Sequence, residues 1–200
     1  MPRAFTEAKR SEIKEKIMET ALELFHDKGV KSLSIGELTK RVGIAQGSFY
    51  NFWKDKDSLI IELITYRWLQ KLDNIKKEFC NSLEDPAGFL SDIIYSYSMD
   101  IMIKIKTQPI YKEAFKIFRE KGRDKLNKIE KFYAEFLSKL INYWKENSAV
   151  KTVNKQGLVN LFTGSFILCS NYGYFDEEYF DEILRIYVDS AVNKYIEAAI

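Results

Sequence analysis

The apolar residues near the start of the chain recur every three or four positions. Ile13, Ile17, Ala21, Leu24 and Phe25 fall at that spacing with Glu and Lys between them. The pattern predicts an amphipathic helix that stops at Gly29, a residue suited to the left-handed position just past a helix end. Ser34-Ile-Gly-Glu37 then reads as a capping box opening a second, short helix, with Leu38 and Val42 inward and Gly43 as its breaker. A third helix fits Gln46 to Trp53. Asp55 can cap a fourth, long helix carrying Leu59, Leu63, Trp68 and Leu72.

The pattern changes at Asp85-Pro86, an N-cap followed by proline at the first helical position. Phe89 to Ile105 is apolar around nearly its whole circumference, which predicts a helix buried on several sides. Pro109 restarts a short helix through Phe118. Gly122 separates it from a long helix near Asp124–Glu146, rich in apolar residues from Leu126 and Ile129 to Leu140 and Trp144. Two more helices fit near Lys155–Tyr172 and Glu177–Ala198. The reading is all-α, about nine helices with no convincing strand: an N-terminal helix-turn-helix head of three helices, then a C-terminal helical bundle. Residues 1–55 form the head, with the motif at about 34–53, residues 56–80 a connecting helix and residues 81–200 the body.

The informative block is Ser34 to Leu59. Two short helices joined by a tight turn at Gly43 make a helix-turn-helix, whose second helix enters the DNA major groove while the first crosses the backbone. The run Val42-Gly43-Ile44-Ala45-Gln46-Gly47-Ser48-Phe49-Tyr50-Asn51-Phe52-Trp53, followed by Lys54-Asp55-Lys56-Asp57-Ser58-Leu59, resembles the TetR family of regulators. The likeness covers about residues 10–70 and fixes the turn glycine, the second glycine, the tyrosine and the lysine at one spacing. It implies a DNA-binding regulator, and the family supplies the further expectation of a repressor.

Each matched residue has a physical task. Gly47 has no side chain to hold the recognition helix away from DNA. Tyr50 can donate its hydroxyl to a phosphate, and Lys56 places a cation beside the free N–H groups of the fourth helix. Gln46 and Ser48 are expected to face base edges, Gln suiting adenine N6/N7. Ser34 serves as a cap and a candidate phosphate contact, and Asn51 falls in the same matched run. Ala45 stands where the family usually has Ser or Thr, which removes a cap. Gln46 replaces the common Lys, Phe52 the usual His or Tyr, and Thr39 the common Ala. These departures imply fewer ionic contacts and an unusual operator.

Charge agrees with that location. The chain is nearly balanced at +2, but residues 1–56 hold 11 Lys and Arg against 8 Asp and Glu, a net +3; the rest holds 20 against 21. Cys80 and Cys169 lie far apart and read as reduced thiols of a cytoplasmic protein. His26, the single histidine, is a polar residue near a helix end. One histidine allows no Ser-His-Asp set, and no GxSxG, P-loop or metal-ligand cluster is present, so no enzyme, cofactor or metal is expected. No apolar run approaches membrane-spanning length.

For the body, the family likeness implies an apolar or aromatic effector among the middle helices. Candidate lining residues are Tyr97, Met102, Phe115, Phe118, Tyr133 and Phe136, between the Phe89–Ile105 and Asp124–Glu146 helices. The fourth helix is then the natural lever between body and head. A homodimer reading a near-palindromic operator is expected through the last two helices: Leu158, Leu161, Phe162, Ser165 and Phe166 on one, Ile183, Leu184, Tyr187 and Ala191 on the other, with Gly164 permitting close approach. The other readings are a helix-turn-helix regulator without an effector and an all-α carrier of hydrophobic molecules.

Overall fold

Local sequence places most helix ends. In the computed structural model, residues 6–199 are described, the side chains at 27, 28, 30–32, 68 and 123–129 excepted; the expected apolar positions Trp68, Leu126 and Ile129 therefore lie outside the described side chains. Helix α1 (Glu7–Ser32) is interrupted at Gly29, whose φ of 81° and ψ of 166° are non-helical, so the glycine breaks the helix where expected, but helical structure resumes to Ser32. Helix α2 (Ile35–Val42) is capped by Ser34, whose Oγ accepts from the Glu37 N–H over a long 3.5 Å, and it ends on Gly43 in the left-handed region at φ 81°, ψ 33°. A Cβ at Gly43 would meet nothing within 4 Å. Gly43→Ala is thus expected to cost only backbone strain, about 1 kcal/mol of unfolding free energy, measured by denaturant titration; an unchanged midpoint would contradict the left-handed cap.

Eight α-helices and three short 3-10 helices are present among the described residues, and the fold is all-α. The remaining α-helices are α3 (Lys56–Ile75), α4 (Pro86–Thr107), α5 (Pro109–Lys121), α6 (Arg123–Glu146), α7 (Lys155–Ser170) and α8 (Glu177–Tyr195). Asp85, Asn154 and Asp176 cap α4, α7 and α8 with side-chain oxygens that accept backbone N–H groups. The expectation of no strand is corrected. Val150–Val153 (β1) and Ile196–Ala198 (β2) pair antiparallel, with Val150 opposite Ala198 and Val153 opposite Ile196. Strands of four and three residues are too short to alternate visibly in sequence.

The chain forms two compact units. The first takes the chain up to Tyr66 together with Pro109–Gly122; the second takes Arg67–Gln108 and the chain from Arg123 onward. This differs from divisions at 55 and 80 in two ways: the boundary falls inside α3, and α5 belongs to the first unit. There α5 packs on α1, with the Tyr111 and Phe25 rings edge to face at 5.8 Å. In the first unit Ile17, Ala21, Leu24, Leu38, Phe49, Leu59 and Ile60 are buried.

In the second unit α4, α6, α7 and α8 pack together, burying Leu90, Ile94, Leu137, Leu140, Trp144, Leu158 and Leu184. The Trp144 indole N–H donates to Ser82 Oγ at 2.6 Å, and that hydroxyl donates on to the Phe79 carbonyl. The α7–α8 contact is tight. A Cβ at Gly164 would lie 2.2 Å from the Tyr187 hydroxyl, so the close approach expected between two subunits is made here within one chain.

Candidate nucleic-acid interface

The head presents one segment outward. After the αL turn at Gly43, Gln46–Asn51 forms a 3-10 helix of six residues rather than an α-helix reaching Trp53. Its N-cap, Ala45, makes no side-chain cap, the cost expected from the missing Ser or Thr. Gly, Ser, Phe, Tyr and Asn are weak helix formers, and so short a helix depends on its anchors. Those anchors are Phe49 and Trp53, both buried, with rings 5.6 Å apart.

The opposite face is open. Ser34, Ala45, Gln46, Gly47, Tyr50 and Asn51 are exposed, while Ser48 and Lys56 are half-buried. Tyr50 is 55% exposed, its ring edge-on to Phe49. A Cβ at Gly47 would meet nothing within 4 Å, so nothing inside the chain requires glycine there. The Gln46 amide oxygen sits 3.5 Å from where a Gly36 Cβ would stand, folded over the start of α2 beside Ser34. Lys40 and Arg41 are exposed in the last turn of α2, and Arg41 pairs with Glu37 at 3.1 Å. Lys56 is the first residue of α3, in the turn where the helix's N–H groups have no partner within the helix.

Asp55 closes the entrance to α3, accepting from the Ser58 hydroxyl at 2.6 Å and the Ser58 N–H at 2.7 Å. The hydroxyl bond is the main reason the Asp55 carboxyl titrates below its ordinary range. That cap therefore contributes stability above the unfolded carboxylate's pKa and loses it as pH falls through the folded value. Two residues of α1 that sequence reading left without a role also reach this segment. Arg10 donates to the Asn51 carbonyl at 2.8 Å, and Lys14 pairs with Glu62 at 2.7 Å beside Trp53.

Residues 17–63 match the family model described as bacterial regulatory proteins, tetR family. The matched region, residues 17–63, is of the TetR type. The TetR-type motif of the sequence, the turn glycine and the outward segment all lie inside that match. The chain is 30% identical over 115 residues to the HTH-type transcriptional regulator AcrR of Shigella flexneri, covering 58% of this chain and 50% of AcrR. It is 24% identical over 185 residues to an HTH-type transcriptional regulator of Staphylococcus aureus (strain bovine RF122 / ET3-1), covering 89% of this chain and 94% of the relative. The chain spans half or less of the length of AcrR and of other relatives it matches. A TetR transcriptional regulator of Rhodococcus sp. RHA1 shares the fold, with a TM-score of 0.59 at 14% identity over 92% of this chain and 97% of that one.

The residues expected to line an effector site are not all brought together. Tyr97 and Tyr133 line a cavity of about 20 Å³ in the second unit with Leu72, Ile94, Phe162 and Phe166. Burial pushes both phenols well above their ordinary pKa. Phe136 instead lines a larger groove between α3 and α6 of about 280 Å³, with Leu69, Leu72 and Phe132 and a rim of Asp73, Lys76, Glu135 and Lys139. Met102 is half-buried on α4. Phe115 and Phe118 lie on α5, in the first unit, and are buried.

Much of the expected dimer stripe is already packed within the single chain. Leu158, Leu161, Phe162, Ser165 and Phe166 on α7, and Leu184 on α8, are each at most 5% exposed within the single chain, so a second copy has almost nothing left there to cover. Tyr187 and Ala191 are half-buried and Ile183 is 39% exposed. Among the described residues no group of three His, Cys, Asp or Glu could hold a metal ion, and no helix is long and apolar enough to cross a membrane.

Proposed function

We propose that the protein is a DNA-binding transcriptional regulator that acts as a homodimer on a near-palindromic operator. The observation that carries this is the outward segment: Gln46, Gly47, Tyr50 and Asn51 exposed, on a turn of helix whose other face, Phe49, is buried. In this reading Gly47 lets the backbone approach the groove. Tyr50, Lys56 and Ser34 hold phosphates, and Gln46 and Ser48 meet base edges. Tyr50→Phe and Lys56→Ala are expected to weaken binding to every duplex alike, and Lys56→Ala to flatten the salt slope by about 0.9. Gln46→Ala should instead relax preference at one base position by about 1–3 kcal/mol. Retardation titrations at several salt concentrations separate these; an unchanged slope for Lys56→Ala would move the phosphate contact elsewhere.

For the dimer, the exposed apolar residues of the last two helices replace the buried stripe. Ile167 on α7 is 48% exposed, and Ile183 and Ile186, three apart on one face of α8, are 39% and 57% exposed. Ile183→Lys combined with Ile186→Lys is expected to give a monomer at micromolar concentration by sedimentation. A persistent dimer would rule this face out.

Two readings of regulation remain. Release of a repressor by a small apolar or aromatic ligand needs room, and binding sites for such ligands span about 300–1,000 Å³. The 20 Å³ cavity around Tyr97 and Tyr133 holds no more than a water, whereas the α3–α6 groove of about 280 Å³ approaches that size. The groove supports an effector there, resting on Leu69, Leu72, Phe132 and Phe136. The other reading is a regulator without an effector. Thermal stabilisation across a panel of hydrophobic compounds, read together with release of DNA, decides between them.

A further inference from the structure

Helix α1 grips the outward segment through two adjacent polar contacts. Arg10 Nη2 donates to the carbonyl of Asn51, the last residue of the 3-10 helix, at 2.8 Å, and its guanidinium lies over the Phe52 ring at 5.6 Å. One turn along the same face of α1, Lys14 pairs with Glu62 Oε1 at 2.7 Å and lies 5.8 Å from the Trp53 ring centre. The other oxygen of Glu62 accepts the Trp53 indole N–H at 2.8 Å. Asn51, Phe52 and Trp53 are thus each held by a side chain from α1 or α3.

A 3-10 helix of six residues without an N-terminal side-chain cap has little stability of its own. A cation on its last carbonyl satisfies a group that the helix leaves open and opposes the helix dipole. We infer that Arg10, supported by the Lys14–Glu62–Trp53 relay, is a positioning residue that fixes the register of Gln46, Gly47 and Tyr50 for sequence-specific DNA recognition. The inference rests on the DNA-binding reading above. Arg10 acts through the Asn51 carbonyl and takes no phosphate itself.

The test compares wild type with Arg10→Ala and Glu62→Gln in two measurements. The first, on the free protein, is amide hydrogen exchange of residues 46–53 and the resonance of the Trp53 indole N–H. The second is affinity for a genomic fragment selected by the wild-type protein, and for a random-sequence duplex of equal length, across a salt series. Arg10→Ala is expected to speed exchange at Phe52 and Trp53 and to weaken the selected fragment by about tenfold. The random duplex should change less than about twofold, with the salt slope and the melting temperature unchanged. Glu62→Gln is expected to shift the Trp53 indole resonance and to give a smaller loss of the same kind. A salt slope reduced by about 0.9 would make Arg10 a phosphate contact and overturn the inference. Equal losses on both duplexes with a lower melting temperature, or unchanged exchange, would overturn it too. If exchange rises in the variant while the wild type prefers no duplex at all, the clamp stands and the DNA-binding reading is what fails.

Discussion

Trp144→Ala is expected to remove a large share of the stability of the second unit. The side chain is fully buried on α6, and its indole N–H donates to Ser82 Oγ, itself inaccessible. Truncating a buried tryptophan to alanine costs about 3–5 kcal/mol, transfer and cavity terms together. Domains of this size stand only about 5–15 kcal/mol above unfolding. Ser82→Ala isolates the polar part: it strands the indole N–H in the core, which costs about 1–3 kcal/mol. Denaturant titration followed by circular dichroism checks both. A loss below about 1 kcal/mol for Trp144→Ala would show that this packing is not what holds α6 in place.

Gly47→Glu is expected to do the reverse, leaving the fold alone and removing the function. A Cβ there meets no atom of the chain within 4 Å, and Gly47 is exposed. Replacing glycine inside a helical turn even favours folding, by up to about 1 kcal/mol. On the face proposed to meet DNA, the same change inserts a bulky anion between backbone and phosphates. Affinity should fall by at least about a hundredfold, worth about 2.8 kcal/mol, with an unchanged or higher melting temperature. Gly47→Ala should fall between the two. Undiminished affinity in Gly47→Glu would mean that DNA does not approach this segment.

The head was the legible part, because its punctuation is local. Ser34 caps, Gly43 takes the left-handed turn and Asp55 closes the start of α3, each through bonds to residues at most five positions away. The 3-10 character of Gln46–Asn51 was not legible, because it follows from how Phe49 and Trp53 seat in a core built by other helices. Nor was the place of α5. An apolar stripe of Ala114, Phe115 and Phe118 says that a face is buried and is silent on which unit holds it. The same limit holds for the dimer reading: the spacing of Leu158, Leu161, Phe162 and Phe166 marks a buried helix face without naming its partner, and α4, α6 and α8 of the same chain pack on that helix. Arg10, Lys14 and Glu62 carried no sequence signal, since surface charges at helical spacing are ordinary until their partners are seen.

The most direct test of the account is selection of genomic fragments by the pure protein, followed by footprinting of the recovered DNA with wild type and Gly47→Glu side by side. The account predicts a protected, near-palindromic stretch for wild type and none for the variant at the same concentration. Recovery of no fragment above background, or the same footprint from both proteins, would contradict it.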